Sequence, residues 1–170
     1  DGKIRLFSPA TGEVYGGLVD KIVNWARKSE YSLEFENNKH YGTPFEENEI
    51  ISREGVKEYM TRISKYKPRD YQIDAVYDAL KYNRKLLISP TASGKSMMIY
   101  AVVRYFVETK KKVLLIVPTT SLVEQMYKDF EDYGWNADQY CHRIYSGKEK
   151  TNENSVTITT WQSVYKLEKS

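Results

Sequence analysis

The sequence predicts an α/β fold in which a parallel sheet with crossover helices occupies residues 67–170 and a smaller α+β unit precedes it over residues 1–66. Three observations carry that expectation. From Pro68 onward, helix-period and strand-like segments alternate, which is the pattern of parallel strands joined by crossover helices. An apolar run, Leu86-Leu87-Ile88, feeds directly into the turn Ser89-Pro90-Thr91-Ala92-Ser93-Gly94-Lys95-Ser96, and helix-forming Met97 to Val103 follows at once. Before residue 67 the alternation is missing, and short strand and helix signals sit around a polar stretch.

In the first region Lys3-Ile4-Arg5-Leu6-Phe7 alternates like a strand and Ser8 to Gly12 reads as a turn. Leu18, Val19, Ile22, Val23 and Ala26 fall on one helical face, and Leu33 and Phe35 mark a second strand. The polar segment from Asn37 to Glu49 reads as a loop in which His40 is solvated. Ser52 is placed to cap a helix that buries Val56, Met60 and Ile63 and ends near Lys67-Pro68. In the second region the predicted helices are Tyr71 to Lys81, Lys95 to Glu108 and Leu122 to Tyr133. The predicted strands are Leu86 to Ile88, Val113 to Val117, about Cys141 to Tyr145, and Val156 to Thr159.

The turn at Ser89 to Ser96 has the chemistry of a phosphate cradle. A strand that opens into a helix leaves several backbone N–H groups unpaired around one spot, with the positive end of the helix dipole behind them. The pattern fits G-x-x-x-x-G-K-[ST], except that Ser89 stands where the first glycine is usual. Thr91, Ala92, Ser93 and Gly94 supply backbone to the cradle, Lys95 reaches the outer phosphates, and the Ser96 hydroxyl can ligate Mg²⁺. A Gly-Lys-Ser triplet also arises by chance in a lysine-rich chain. The strand-like run before it and the amphipathic pattern after it are what single this one out.

Composition agrees with a globular domain. Hydrophobic residues make up 41% of the 170, and no apolar stretch approaches the ~20 residues that cross a bilayer. The single cysteine, Cys141, excludes an intramolecular disulfide; with His142 it reads as part of a half-buried strand and not as a metal site. Net charge is +3, with 10 basic and 11 acidic residues over 1–66 against 16 and 12 over 67–170. The basic excess lies with the cradle and suggests a polyanionic partner, although Lys110-Lys111-Lys112 is equally a solvated helix-to-strand connection.

Further strings stand in a telling order around the loop. Arg69-Asp70-Tyr71-Gln72 lies upstream, and Val117-Pro118-Thr119-Thr120-Ser121-Leu122 and Thr159-Thr160-Trp161-Gln162-Ser163 lie downstream. With the loop, they resemble in sequence the adenine-sensing Q motif, the nucleotide loop, motif Ia and the strand-end motif of superfamily 2 helicases. The likeness is nearest to the bacteriophage UvsW-type recombination helicases, to whose small N-terminal DNA-binding domain Asp1 to Leu6 and Gly16 to Val19 are similar. The resemblance implies a RecA-like motor lobe binding ATP and Mg²⁺, with Arg69 and Gln72 at the base and Lys95 and Ser96 in the chemistry. It also implies DNA contacts by Thr119, Thr120, Ser121, Trp161, Lys3 and Arg5. The intact protein would be an ATP-dependent helicase on branched DNA in recombination, repair and replication-fork rescue, working in the host cytoplasm if phage-encoded.

The family's acidic box, Asp-Glu-x-His or Asp-Glu-x-Asp, has no counterpart here, since the chain contains no Asp-Glu pair. The expectation is therefore a piece of a longer motor, without the acidic box or second lobe, that binds ATP but does not turn it over. Two other readings stay open: the motor subunit of a restriction-type translocase, and an ATP-gated DNA-binding module. Individual residues carry alternatives too. Gln72 can cap its helix or read adenine, Thr119 to Ser121 can cap a helix and hold a DNA phosphate together, and Trp161 suits a core or interlobe position as well as base stacking.

Overall fold

The computed structural model describes residues 7–34, 48–82, 85–145 and 153–167. Its organising feature is a three-stranded parallel sheet in the order β1-β3-β2, formed by β1 (Val113–Val117), β2 (Cys141–Ile144) and β3 (Val156–Thr160). The chain leaves β1, crosses through α5 (Thr120–Asp132) and the short α6 (Ala137–Tyr140) to the far strand β2, then returns to β3 in the middle. Central position explains burial: Val156, Ile158, Thr159 and Thr160 of β3 are all buried. Pairing of Val113 with Val156 and Val117 with Thr160 brings the C-terminal ends of β1 and β3 side by side.

Three more helices close the core. They are α2 (Arg53–Ile63), α3 (Asp70–Lys81) and α4 (Lys95–Glu108). Val56, Met60 and Ile63 of α2 share one hydrophobic cluster with Ile73 and Val76 of α3, Tyr100 and Ala101 of α4, Val123 and Phe130 of α5, and Ile158. Each large apolar side chain so buried contributes about 1.5–3 kcal/mol. Within the first region, Phe7 and Val14 form an antiparallel bridge around the Ser8 to Gly12 turn, and α1 (Val19–Lys28) buries Val23 and Ala26.

The capping signals were legible. The Ser52 hydroxyl accepts from the Gly55 N–H and the Thr119 hydroxyl accepts from the Leu122 N–H. Other expectations need correction. Leu86 to Ile88 join no strand: Leu86 and Ile88 are 83% and 91% exposed, and an apolar run becomes a buried strand only where neighbours cover it, which no described element does. The helix capped by Ser52 stops at Ile63, short of Lys67-Pro68. Its last carbonyl is taken by the Tyr100 hydroxyl (2.8 Å) and by Arg104 Nη1 (3.1 Å), so another turn is not needed to satisfy it. Leu33 belongs to no strand and is exposed. Lys3 to Leu6, Phe35 and His40 lie outside the described residues. The short α6 and the terminal α7 (Trp161–Leu167) were not foreseen from periodicity.

Candidate nucleotide site

The loop from Ser89 to Ser96 is shaped by its own residues before any ligand is considered. Gly94, at φ +75°, is the N-cap of α4 in the left-handed region, and Ala92 shares that region at φ +62°. A glycine is at ease there and an alanine is not, so Ala92 stores about 1 kcal/mol of strain. The turn is clipped internally by a hydrogen bond between the Ser89 and Ser93 hydroxyls, so the serine replacing the usual glycine helps to hold the loop. Lys95, exposed at the first position of α4, donates to the carbonyls of Ser89 (3.0 Å) and Pro90 (2.6 Å). Its ammonium thus lies over the loop that it is expected to serve.

Helix α3 holds the loop from below. The Gln72 amide is buried; its Oε1 accepts from the Arg69 N–H (3.0 Å), capping α3, and its Nε2 donates to the Ser93 carbonyl (3.1 Å). The Tyr71 hydroxyl donates to that same carbonyl (3.0 Å), and Arg69 Nη1 donates to the Tyr71 hydroxyl (3.2 Å). The Arg69 to Gln72 string is therefore wired to the Ser89 to Ser96 loop through one acceptor, Ser93 O. A Cβ on Gly94 would run into Gln72 Nε2, so the two elements are in close contact.

On its other side, Ser96 shares a 2.7 Å hydrogen bond with the hydroxyl of Tyr133, the C-cap residue of α5. Tyr133 packs against the rings of Tyr66 and Tyr100, and burial pushes its phenol above the ordinary value, with the Ser96 bond opposing. Sequence reading missed this residue. Thirty-seven positions separate the pair, and no local pattern at Tyr133 marks it. For a cation, the donor set near the loop is Ser96 Oγ, a hard oxygen suited to Mg²⁺, which usually completes its shell with substrate phosphates and water.

Thr119, Thr120 and Ser121 are exposed at the N-terminus of α5, immediately after β1, and Trp161 is exposed at the start of α7, immediately after β3. Because Val117 pairs with Thr160, these two strings emerge next to each other at one end of the sheet. Lys3 and Arg5 lie outside the described residues. Cys141 is buried at the start of β2, and burial pushes its thiol up to about 12. Among the described residues no cluster of metal-binding side chains occurs.

The family model described as "Type III restriction enzyme, res subunit" matches residues 65–170. The ATP-dependent DNA helicase uvsW of Enterobacteria phage T4 is 36% identical over an alignment of 134 residues that covers 72% of this chain. The chain belongs to the UvsW-type helicases of superfamily 2. Two crystal structures of the bacteriophage T4 UvsW helicase superimpose with a TM-score of 0.82 each. One is 31% identical, covering 97% of this chain and 60% of that one; the other is 32% identical, covering 98% and 34%. The fold is thus that of a UvsW-type RecA-like lobe with its preceding small unit. Against the curated T4 relative, this UvsW-type chain spans 27% of the length. Among the described residues no helix is long and apolar enough to cross a membrane.

Proposed function

We propose that this UvsW-type chain forms the nucleotide-binding part of an ATP-dependent DNA helicase that works on branched DNA in recombination, repair and fork rescue, in the cytoplasm, which is the host's if the protein is phage-encoded. The observation that carries the reading is the loop itself: Gly94 capping α4, Lys95 poised over the cradle and Ser96 beside it, all tied to α3 through Ser93 O. We divide the chain at 66/67, with α2 as the part of the first region that docks onto the second. Lys95 would leave the Ser89 and Pro90 carbonyls to meet the outer phosphates, and Ser96 Oγ would hold Mg²⁺, which neutralises charge on those phosphates. Gln72 and Arg69 would border the base. Thr119 to Ser121 would hold a DNA phosphate at the α5 N-terminus, with Trp161 available to stack on a base and Lys3 and Arg5 as further phosphate contacts.

Turnover is a separate matter. A motor's hydrolysis needs a carboxylate to orient water and an opposing cation, the latter worth ~10³ to 10⁵ in rate. With no Asp-Glu pair in its 170 residues, this chain is proposed to bind ATP–Mg²⁺ without hydrolysing it at a motor's rate. The restriction-subunit description of the matching family model keeps a translocase motor as the second reading. Calorimetry and phosphate release decide the first. The expected result is ATP–Mg²⁺ binding that Lys95→Ala abolishes, with negligible release; brisk DNA-stimulated release that Lys95→Ala abolishes would refute the division of labour. Duplex and branched DNA titrated at two salt concentrations tests the phosphate contacts. Binding should be sequence-independent, in the ~10⁻⁴ to 10⁻⁶ M range near physiological salt, and should weaken steeply as salt rises.

A further inference from the structure

The contact between Ser96 and Tyr133 joins two elements that the nucleotide reading leaves unconnected. Ser96 is the second residue of α4, and Tyr133 closes α5, the helix whose other end carries Thr119 and Thr120. Their hydroxyl oxygens are 2.7 Å apart. Tyr133 has little freedom to wander: its N–H donates to the Asp129 carbonyl (2.9 Å), and its ring is packed between those of Tyr66 and Tyr100. Tyr100 is in turn fully buried and anchored to the Ile63 carbonyl.

We propose that Tyr133 is a positioning residue for the divalent cation, fixing the rotamer and proton of the Ser96 hydroxyl so that its lone pairs face the metal held with the nucleotide. The inference rests on the nucleotide reading above. A serine hydroxyl has one proton and two lone pairs, and the proton turns to whichever acceptor is nearest. A serine in a helix can also turn that proton back to the carbonyl three or four residues earlier. Either hydroxyl can donate in this contact; with Ser96 donating to the Tyr133 oxygen, as the proposal has it, that ambiguity is removed and both lone pairs are left for a cation.

The test uses a fluorescent N-methylanthraniloyl ATP analogue, titrated into the 170-residue chain with Mg²⁺ and again with EDTA. The readout is the ratio of the two affinities. Tyr133→Phe keeps the ring and its packing, so the affinity in EDTA should be unchanged while the ratio drops about three- to tenfold, the worth of one hydrogen bond. Ser96→Ala should lose the Mg²⁺ dependence at least as far, and adding Tyr133→Phe to it should change nothing more. An unaltered ratio in Tyr133→Phe overturns the proposal, and so does an equal loss with and without Mg²⁺, which would make Tyr133 a packing residue only. Hydrogen exchange on the unmodified chain gives an arm that needs no variant. Amides around Phe130 to Gly134 should slow with analogue plus Mg²⁺ and not with analogue in EDTA, and identical exchange in the two overturns the idea. If the unmodified chain binds no analogue under either condition, the nucleotide reading falls and this inference with it; failure of the Tyr133 arms alone leaves that reading standing.

Discussion

Gly94→Ala probes the joint between α3 and the Ser89 to Ser96 loop with one methyl group. Two costs follow from the geometry. At φ +75° a side chain is strained, by about 1–2 kcal/mol for a left-handed residue with a Cβ. The new Cβ also lands on Gln72 Nε2, and because that atom is the end of a side chain, the amide swings aside and gives up its bond to Ser93 O. A buried amide that loses a partner costs about 1–3 kcal/mol. The sum is about 2–5 kcal/mol, a large share of the ~5–15 kcal/mol that holds a domain folded. Urea unfolding followed by tryptophan fluorescence measures it, with buried Trp135 as the reporter. The decisive comparison repeats the substitution in a Gln72→Ala background, where the obstructing amide is gone and only the backbone strain of about 1–2 kcal/mol should remain. Equal penalties in the two backgrounds would refute the claim that Gln72 and the loop are in contact.

Other perturbations follow from the same geometry. Ala92→Gly releases the left-handed strain at φ +62° and should raise stability by up to about 1 kcal/mol in the same urea assay; a loss of stability would mean that the strain is not there. Cys141 should react with a disulfide reagent at pH 8 only as fast as the chain opens, because it is buried and burial holds its thiol up to about 12. That shift also fixes a pH dependence. The folded chain keeps a proton that the unfolded chain sheds from its ordinary value near 9, so this stability is complete below pH 9 and declines between about 9 and 12. Tyr59 and Tyr127, both raised by burial, act in the same sense above 10, so the urea midpoint should fall between pH 8 and 10.5; a constant midpoint would contradict it. Trp161→Ala should weaken DNA binding without changing its salt slope, as expected of a stacking contact, and unchanged affinity would refute that contact.

What could be read from the sequence was what is local. Helix α4 has the predicted bounds, Lys95 to Glu108, because Gly94 ends the turn and the apolar run that follows has a helical period. The caps at Ser52 and Thr119 and the strand Val113 to Val117 were legible for the same reason: each depends on a few neighbouring residues. Leu86 to Ile88 shows the opposite case, since strand formation depends on a partner and composition supplies none. The Tyr133–Ser96 bond and the shared acceptor at Ser93 O are tertiary facts, set by how α5 and α3 pack on α4, and no spacing rule reaches them.

Gln72 shows how such tertiary facts bear on the choice between helix cap and adenine contact. The cap is present, and the amide is also spent on Ser93 O, yet neither bond exhausts it. Oε1 accepts one N–H and has a second lone pair; Nε2 donates one proton and has another. A donor and an acceptor on one planar group remain, which is the pairing that a purine edge requires. The cap and the Ser93 bond fix the plane of the amide, so structural anchoring is compatible with the proposed base contact. The same reasoning applies to Lys95, whose ammonium is held at the loop by the Ser89 and Pro90 carbonyls. In both residues the internal hydrogen bonds are what place a flexible polar side chain where a nucleotide would meet it.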